Sequence, residues 1–595
     1  MAVAVGALLV PLSTWFFAVD RTVTEPYLDE VFHVRQAQHY CQGHFDVWDP
    51  KITTPPGLYL LSYAFSRLES FQEYIGLGHL RLVPLDCSIT GLRALNAVGL
   101  ILLLLVVRLS YLQRASPETS AHHSLFDHSA LNVALFPPLF FFSALYYTDV
   151  WSALSVLASY CFLTTAYRDK YGHWMRGTGL LALGLVSLMF RQTNIFWVTA
   201  FPAGLVLVKE LDRGHEAIRN SMHRRTQGFG DSLYSIAKTS WKMAVIYDPP
   251  VRDAQINGTN TSPQHYHFAH PNQSPDYLLT IISIAACLLG IATQSKRLAS
   301  LFLALAPFLL LAALFLAFIL WNGSVVLGDK ANHTATLHLP QMLYLWPFTA
   351  FFSWPLLLPY LLLTPVVLLT WLPLFSALEC AQRFKRAPSL LPRLLLALLL
   401  LTLTSAIIHY NTLVHPFTLA DNRHYIFYVF RLLLRPWYLR YAASPLYLLS
   451  AWACLQTLGT EPTDTQLFAP HPSDLERRLP VPNAQHSARL SFTLVFLATS
   501  TLQLVTAPLV EPRYFILPWV FWRLHIPLRI PVWRAGKKRN RGARWSWERW
   551  WAEYDHRLWI ETAWLVAINA GTGYVFLFWG FAWPQEPGKV QRFMW

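Results

Sequence analysis

From Ala331 to Leu378 the chain carries no Lys, Arg, Asp or Glu. So long a run without charge belongs in a protein core or in lipid, and a helix crossing a bilayer takes about 20 such residues. The run has company. Met1 to Val19 is uncharged as well. Further apolar stretches occupy 94–111, 130–147, 150–167, 177–190, 192–208, 277–295, 299–321, 394–409, 441–459, 490–510 and 562–583, with a short one after Arg513. Prolines at 355, 359 and 365 divide Ala331–Leu378 into two expected spans, which brings the total to about 13 to 15. Lipid leaves no backbone group to water, so segments of this length cross as helices. The predicted fold class is an all-α polytopic membrane protein. Charged residues make up 13% of the chain, against about 25% in soluble domains, too few to cover a water-exposed surface. Met1–Val19 has no basic leader and no small-residue cleavage site, and is read as a retained signal anchor.

Charge orients the chain. The net charge of +14 would suit nucleic acid, yet the tendency of Lys and Arg to collect in cytosolic loops accounts for it, and no nucleic-acid partner is expected. With Met1 in the cytosol, 168–176, 209–275, 379–393, 461–489 and 525–560 fall on the cytosolic side, the last with Lys537, Lys538, Arg539, Arg541 and Arg544. The basic aromatic run 533–551 then faces lipid headgroups. Sequons at Asn257, Asn260 and Asn272 lie in a loop placed in the cytosol and are expected to be unused. The map separates an N-terminal transmembrane module, 1–208, with an interfacial first luminal loop over 20–93; a basic cytosolic loop, 209–275; and a C-terminal module, 276–595, with a luminal loop 410–440 and a cytosolic loop 525–560. The luminal side also receives the turns at Tyr146–Asp149, Arg191–Asn194 and Glu511–Arg513.

Polar chemistry concentrates on that side. In the first loop, Leu28, Val31, Phe32 and Ala37 recur at helical spacing, which suits a helix lying in the interface. Asp29 and His33, four apart, share one face of it, with Glu30 adjacent. A carboxylate beside an imidazole is a candidate general base with an orienting partner; the plainer reading is a solvated polar face. Trp48-Asp49-Pro50-Lys51-Ile52-Thr53-Thr54-Pro55-Pro56-Gly57 makes a rigid turn, either a substrate wall or a structural spacer. Asp149 follows Tyr147 and Thr148 at a helix start, where it caps a helix or holds a substrate hydroxyl. Arg191, the His415 segment, Asp421-Asn422-Arg423-His424 and Arg513 bring cations to a side that positive-inside statistics disfavour. A phosphate on a lipid would explain them, because guanidinium grips phosphate through paired hydrogen bonds; pairing with Asp421 and Glu511 is the alternative.

Six cysteines are too few for a disulfide scaffold and lack zinc spacing. Cys41 and Cys87 both fall in the first loop, where an oxidising lumen would pair them; free thiols are the other reading. Asp329, His333 and His338 match no metal-ligand spacing, and the map puts them on the cytosolic side. No metal and no cofactor is expected. Neither a Walker A loop nor a dinucleotide fingerprint is present, which argues against ATP-driven transport. A transporter or lipid scramblase remains the alternative from another class, although no internal repeat supports it.

The blocks LDEVFHVRQAQHYCQGHFDVWDPKITTPPGLYLLS, FFFSALYYTD, FRQTNIFWV, HPFTLADNRHYIFYVFR and EPRYFILP, with the terminal QRFMW, resemble the endoplasmic-reticulum alpha-1,2-glucosyltransferases that add the last glucose to the lipid-linked oligosaccharide. The resemblance runs from residue 27 to the C-terminus; the loop 209–275, the stretch 343–393 and the run 533–551 match none of its motifs. It implies a GT-C type glycosyltransferase in the endoplasmic-reticulum membrane with its active site in the lumen. The implied donor is dolichyl-phosphate-glucose and the implied acceptor Glc2Man9GlcNAc2-diphosphate-dolichol, with membrane lipids as surroundings. It further implies an inverting reaction whose base is an acid of the first luminal loop, Asp29 or Glu30, with His33 orienting it. Arg423, His424 and Arg513 would face the departing phosphate, and Asp149 a sugar hydroxyl. Arg191, His415 and Asp421 are expected to line the substrate site.

Overall fold

A computed structural model describes the chain except residues 75–85, 116–122, 170, 213–228, 230–231, 252–275, 372–393, 460–487, 508, 529–553 and 585. The sequons at Asn257, Asn260 and Asn272 and the basic run 533–551 lie outside the described residues. The first half forms α1 (Ala2–Thr22), α2 (Glu30–Cys41), α3 (Gly57–Tyr74), α4 (Ile89–Arg114), α5 (His123–Ala134), α6 (Pro137–Phe142), α7 (Asp149–Arg168), α8 (His173–Leu188) and α9 (Phe201–Leu211). Next come α10 (Leu233–Met243), α11 (Asp276–Ala292), α12 (Ser295–Asn322), α13 (Pro340–Trp371), α14 (Leu394–Asn411), α15 (Pro416–Ala420) and α16 (Tyr425–Leu434). The last are α17 (Leu439–Ala442), α18 (Ser444–Thr457), α19 (Leu490–Val505), α20 (Ile516–Leu524) and α21 (Arg557–Phe578), followed by an antiparallel ribbon of β1 (Phe581–Ala582) and β2 (Val590–Gln591).

Eight helical segments among the described residues are long and apolar enough to cross a membrane: Ala2–Thr22, Ile89–Arg114, Asp149–Arg168, Gln192–Leu211, Ser295–Asn322, Pro340–Leu362, Leu394–Asn411 and Arg557–Phe578. Asp276–Ala292, Tyr425–Leu434 and Leu490–Val505 are shorter apolar helices. The protein is a helical, multi-pass membrane protein. One apolar core runs from Leu8 to Met594 and joins both halves. In it Phe136 stacks on Trp519 at 3.8 Å and Trp197 on Phe521 at 4.5 Å.

The bundle has two distinct ends. At the site end, Arg93 meets Glu30, Asn96 bonds the carbonyls of Leu145 and Tyr147, and Arg191 meets Asp149. At the far end, Arg108 and the N-terminus share Asp127, and Arg114 bonds the Leu524 carbonyl. A buried brace holds the far end together. Both Glu561 oxygens accept from Arg523, at 2.8 and 2.7 Å, while Asn132 of α5 donates to one of them at 2.8 Å.

The structure corrects the topological map in two places. The stretch 277–295 is expected to span, but α11 packs Tyr277 against Leu490, at the start of α19, and Ile291 against Leu211, at the end of α9. Those neighbours both lie at the far end, so α11 lies along that end and does not cross. The second correction concerns 331–378, read as two spans. Residues 340–371 form a helix kinked at Ser353, and 331–339 is a non-helical segment that opens on a turn; 372–378 lie outside the described residues. Each miscount reverses the orientation once, so they cancel for everything downstream. Only the segment between them is inverted. Leu327 donates to the Thr53 carbonyl and Asp329 to that of Pro50, while His338 donates to Val505. Gly328 presses on the Pro50 and Ile52 carbonyls so closely that a Cβ would collide. Residues 323–339 therefore sit at the site end, against the first loop. Asp329 pairs with His333 at 3.4 Å, and His338 packs apart from them on Tyr344.

Candidate active site

Two neighbouring carboxylates at the start of α2 have opposite surroundings. Leu28 has φ 53°, a left-handed conformation costing a leucine about 1–2 kcal/mol. That kink turns the chain into α2 and leaves Asp29 at the N-cap position, with its carboxylate bonding no helix N–H. The Asp29 side chain is 53% exposed and stands 3.5 Å from the Arg513 guanidinium. Burial of the recess would raise its pKa, but the neighbouring Arg513 guanidinium opposes this and the carboxyl is held below its usual 3.8. Asp29 is thus an open, ionised carboxylate next to a cation.

Glu30 points the other way, rotated about 100° round the helix. It is fully buried, and Arg93 grips it twice, at 2.8 Å through Nε and 2.8 Å through Nη2. The backbone N–H groups of Tyr146 and Tyr27 donate to the same carboxylate at 2.9 and 3.1 Å. No oxygen of Glu30 is left open to a substrate.

His33 lies one turn beyond Asp29, and its Nδ1 meets the Tyr59 hydroxyl at 2.6 Å. Burial is the main influence on it and pushes its pKa down to about 4, against the opposing pull of Asp29. The imidazole is neutral at physiological pH. Its hydrogen-bond partner is Tyr59, whereas Asp29 takes Arg513.

Arg513 joins the other acids. It bonds Glu511 at 2.9 Å and lies over the Phe142 and Tyr147 rings, 5.7 Å from each centroid. Next to it, Arg191 approaches Asp149 to 3.1 Å and Thr148 to 3.3 Å. Asp149, Arg191, Asn194, Gln503 and Arg513 line one small recess. Asp149 is 2% exposed, and neither carboxylate oxygen receives a well-aligned hydrogen bond. A buried carboxylate with an ion pair but no aligned hydrogen bond keeps acceptor capacity to spare, which a hydroxyl from a bound ligand would fill. Nearby, the Gly57 N–H bonds the Met189 carbonyl at 2.8 Å at a spacing that leaves no room for a Cβ, which seats the start of α3 against the chain just before Arg191.

The Asp421–His424 loop reaches the site through the C-terminal segment. Asp421 binds Arg423 twice, at 2.8 Å each, Gln591 accepts from the third nitrogen at 3.1 Å, and Trp583 covers the guanidinium at 4.6 Å. His424 holds the Trp595 carbonyl at 3.2 Å. The Tyr27 hydroxyl exchanges hydrogen bonds with the Arg592 backbone at 2.7 and 2.8 Å. His415 caps α15 by accepting from the Phe417 N–H at 3.3 Å, and no hydrogen bond or ion pair among the described residues joins it to the Asp29–Arg513 cluster. Cys41 and Cys87 are joined in a disulfide, which resolves the alternative left open by the sequence.

The structure brings Asp149, Arg191 and Arg513 around one recess, with Asp29 beside Arg513 and His33 one turn further on, and pairs Arg513 with Glu511 as the sequence alternative had it. It adds Tyr59, Arg93 and Tyr147, which sequence reasoning did not single out. Tyr147 lies inside a conspicuous block, whereas nothing local marks Arg93 as the partner of Glu30.

Comparison with known proteins agrees with the resemblance. The profile of the DIE2/ALG10 family matches residues 23–524. A protein of Emericella nidulans named "Dol-P-Glc:Glc(2)Man(9)GlcNAc(2)-PP-Dol alpha-1,2-glucosyltransferase" is 37% identical over 100% of this chain and 98% of its own length. Proteins of the same name from Mus musculus and Homo sapiens are 31% and 30% identical, each over 98% of this chain and 95% of theirs. A solved Archaeoglobus fulgidus oligosaccharyltransferase aligns over 86% of this chain and 52% of that chain at 11% identity, with a TM-score of 0.23 that carries no weight. Because the profile covers most of the sequence, and relatives at 30–37% identity align over nearly all of it, the chain belongs to the DIE2/ALG10 family.

Proposed function

We propose that the chain is an inverting glucosyltransferase of the GT-C type in the endoplasmic-reticulum membrane, with the site end facing the lumen. It transfers glucose from dolichyl-phosphate-glucose to Glc2Man9GlcNAc2-diphosphate-dolichol in alpha-1,2 linkage. The observation that carries this reading is the open Asp29 carboxylate set against Arg513. The names of the full-length relatives supply the substrates. A disulfide at the site end suits an oxidising compartment.

In the reaction, the 2-hydroxyl of the terminal acceptor glucose attacks the donor C1 while the bond from C1 to the phosphate oxygen breaks. The hydroxyl proton passes to Asp29, and dolichyl phosphate leaves with the bonding electrons. Asp29 rather than Glu30 is the base, since Glu30 is sealed by Arg93 and two backbone donors. Arg513 and Arg191 face the charge that develops on the phosphate, where preorganised donors contribute most. Asp149 receives a sugar hydroxyl. His33, tied to Tyr59, shapes the cleft around Asp29. Arg423, engaged by Asp421 and Gln591, braces the loop that presents His424.

The test uses the purified protein in liposomes with dolichyl-phosphate-glucose and the Glc2 acceptor. Formation of the Glc3 product supports the reading, and its failure to form with the wild-type protein sinks it. Asp29→Asn is expected to lower kcat by at least about 100-fold, the lower range for losing a general base; near-normal turnover would remove Asp29 from that role.

A further inference from the structure

Residues 323–339 leave α12 at the site end and rest on the first loop, and that segment contains Asn332-His333-Thr334, an acceptor sequence for N-linked glycan. We infer that Asn332 is a glycosylation site of this protein. The inference rests on the luminal placement proposed above, because glycan is added only there.

Two sequons occur among the described residues, and their geometry differs. Asn322-Gly323-Ser324 begins on the last residue of α12, and its amide donates to the carbonyls of Ser324 at 2.9 Å and Val326 at 2.8 Å. That amide is consumed in closing the helix end. Asn332 and Thr334 are both exposed, and the Asn332 amide donates to the Asp329 carboxylate at 2.8 Å and to no other group among the described residues. The chain is next pinned to the body of the protein at Thr336, whose N–H bonds the Thr506 carbonyl at 3.3 Å. The sequon therefore stands on a projecting turn that an enzyme can grip.

The donor is a dolichyl-diphosphate oligosaccharide, the class of molecule that the proposed activity completes. The Asn332 amide nitrogen bonds to C1 of the innermost sugar, the bond from C1 to the diphosphate oxygen breaks, dolichyl diphosphate leaves with the electron pair, and the amide loses one proton. A transferring enzyme of the lumen performs this step, with no oxidant or reductant involved.

The experiment expresses the full chain in cells and treats microsomes with endoglycosidase H or peptide N-glycosidase F. Wild type is expected to lose one glycan step in gel mobility. Asn332→Gln and Thr334→Ala should run at the deglycosylated position untreated, while Thr334→Ser and Asn322→Gln keep the step. An enzyme-insensitive wild type, or a step that survives in Asn332→Gln, overturns the inference. Assaying glucosyl transfer in the same membranes separates the two proposals. Activity without glycan rejects the glycosylation site alone, whereas glycan at Asn332 without activity rejects the proposed function alone.

Discussion

At the scale of single residues, the central distinction is between Asp29 and Glu30. One step along α2 carries the side chain from an open recess to a sealed pocket, and the two acids accordingly predict different failures. Glu30→Gln leaves Arg93 buried beside a neutral partner, and breaking a buried ion pair typically costs about 3–5 kcal/mol. The expected result is a lowered unfolding temperature of the detergent-purified protein, and an unchanged one would show that the pair does not hold the loop. A second prediction concerns pH. Asp29 lies below the ordinary carboxyl value, so it stays ionised as pH falls until that range is passed, and His33 stays neutral down to about 4. Hence kcat/KM should be flat on the acid side from pH 7 to pH 5, windows taken from those two groups. An acid limb centred near the ordinary histidine value would contradict it. The pairing of Asp29 and His33 on one helical face was readable from their spacing. Their partners, Arg513 and Tyr59, lie 484 and 26 residues away, and no local pattern announces them.

At the scale of elements, the C-terminal segment 590–595, which begins with β2, is the least expected part of the site. Met594 lies beside His424 as a parallel bridge, exchanging hydrogen bonds with the Arg423 carbonyl at 2.9 Å and the Tyr425 N–H at 3.1 Å. Trp595 packs on Phe352 and Tyr425 at 5.6 and 5.0 Å. The QRFMW block is visible in the sequence as a motif, but its task, tying the Asp421–His424 loop to Tyr27, exists only once both halves of the chain have met. Removing residues 590–595 takes away several hydrogen bonds of about 0.5–1.5 kcal/mol each. With His424 unanchored, the KM for the donor is expected to rise about tenfold, the equivalent of about 1.4 kcal/mol, while the protein still purifies as a single species. An unchanged KM would mean that the segment has no part in presenting the loop. The disulfide works on the same scale, fastening the end of α2 to the residues just before α4.

At the scale of the whole molecule, the sides assigned to the loops can be tested directly. Cysteines introduced at exposed Lys51 and Ala331 should both label from the luminal side, and one at exposed Asp169 from the cytosolic side. Opposite labelling of 51 and 331 would undo the placement of 323–339. What the sequence determined by itself was the membrane environment, the helical class and the set of residues that carry the family likeness. These depend on local affinity for hydrocarbon and on short motifs, both readable in a linear window. Only the tertiary structure decided that α11 stays at one end, that 331–339 belongs to no helix, and which of two adjacent acids is open. Hydropathy measures how readily a segment enters an apolar medium, and α11 satisfies it equally by lying on α9 and α19. Likewise, an acid is sealed or free according to what packs on it, and for Glu30 that is an arginine 63 residues away.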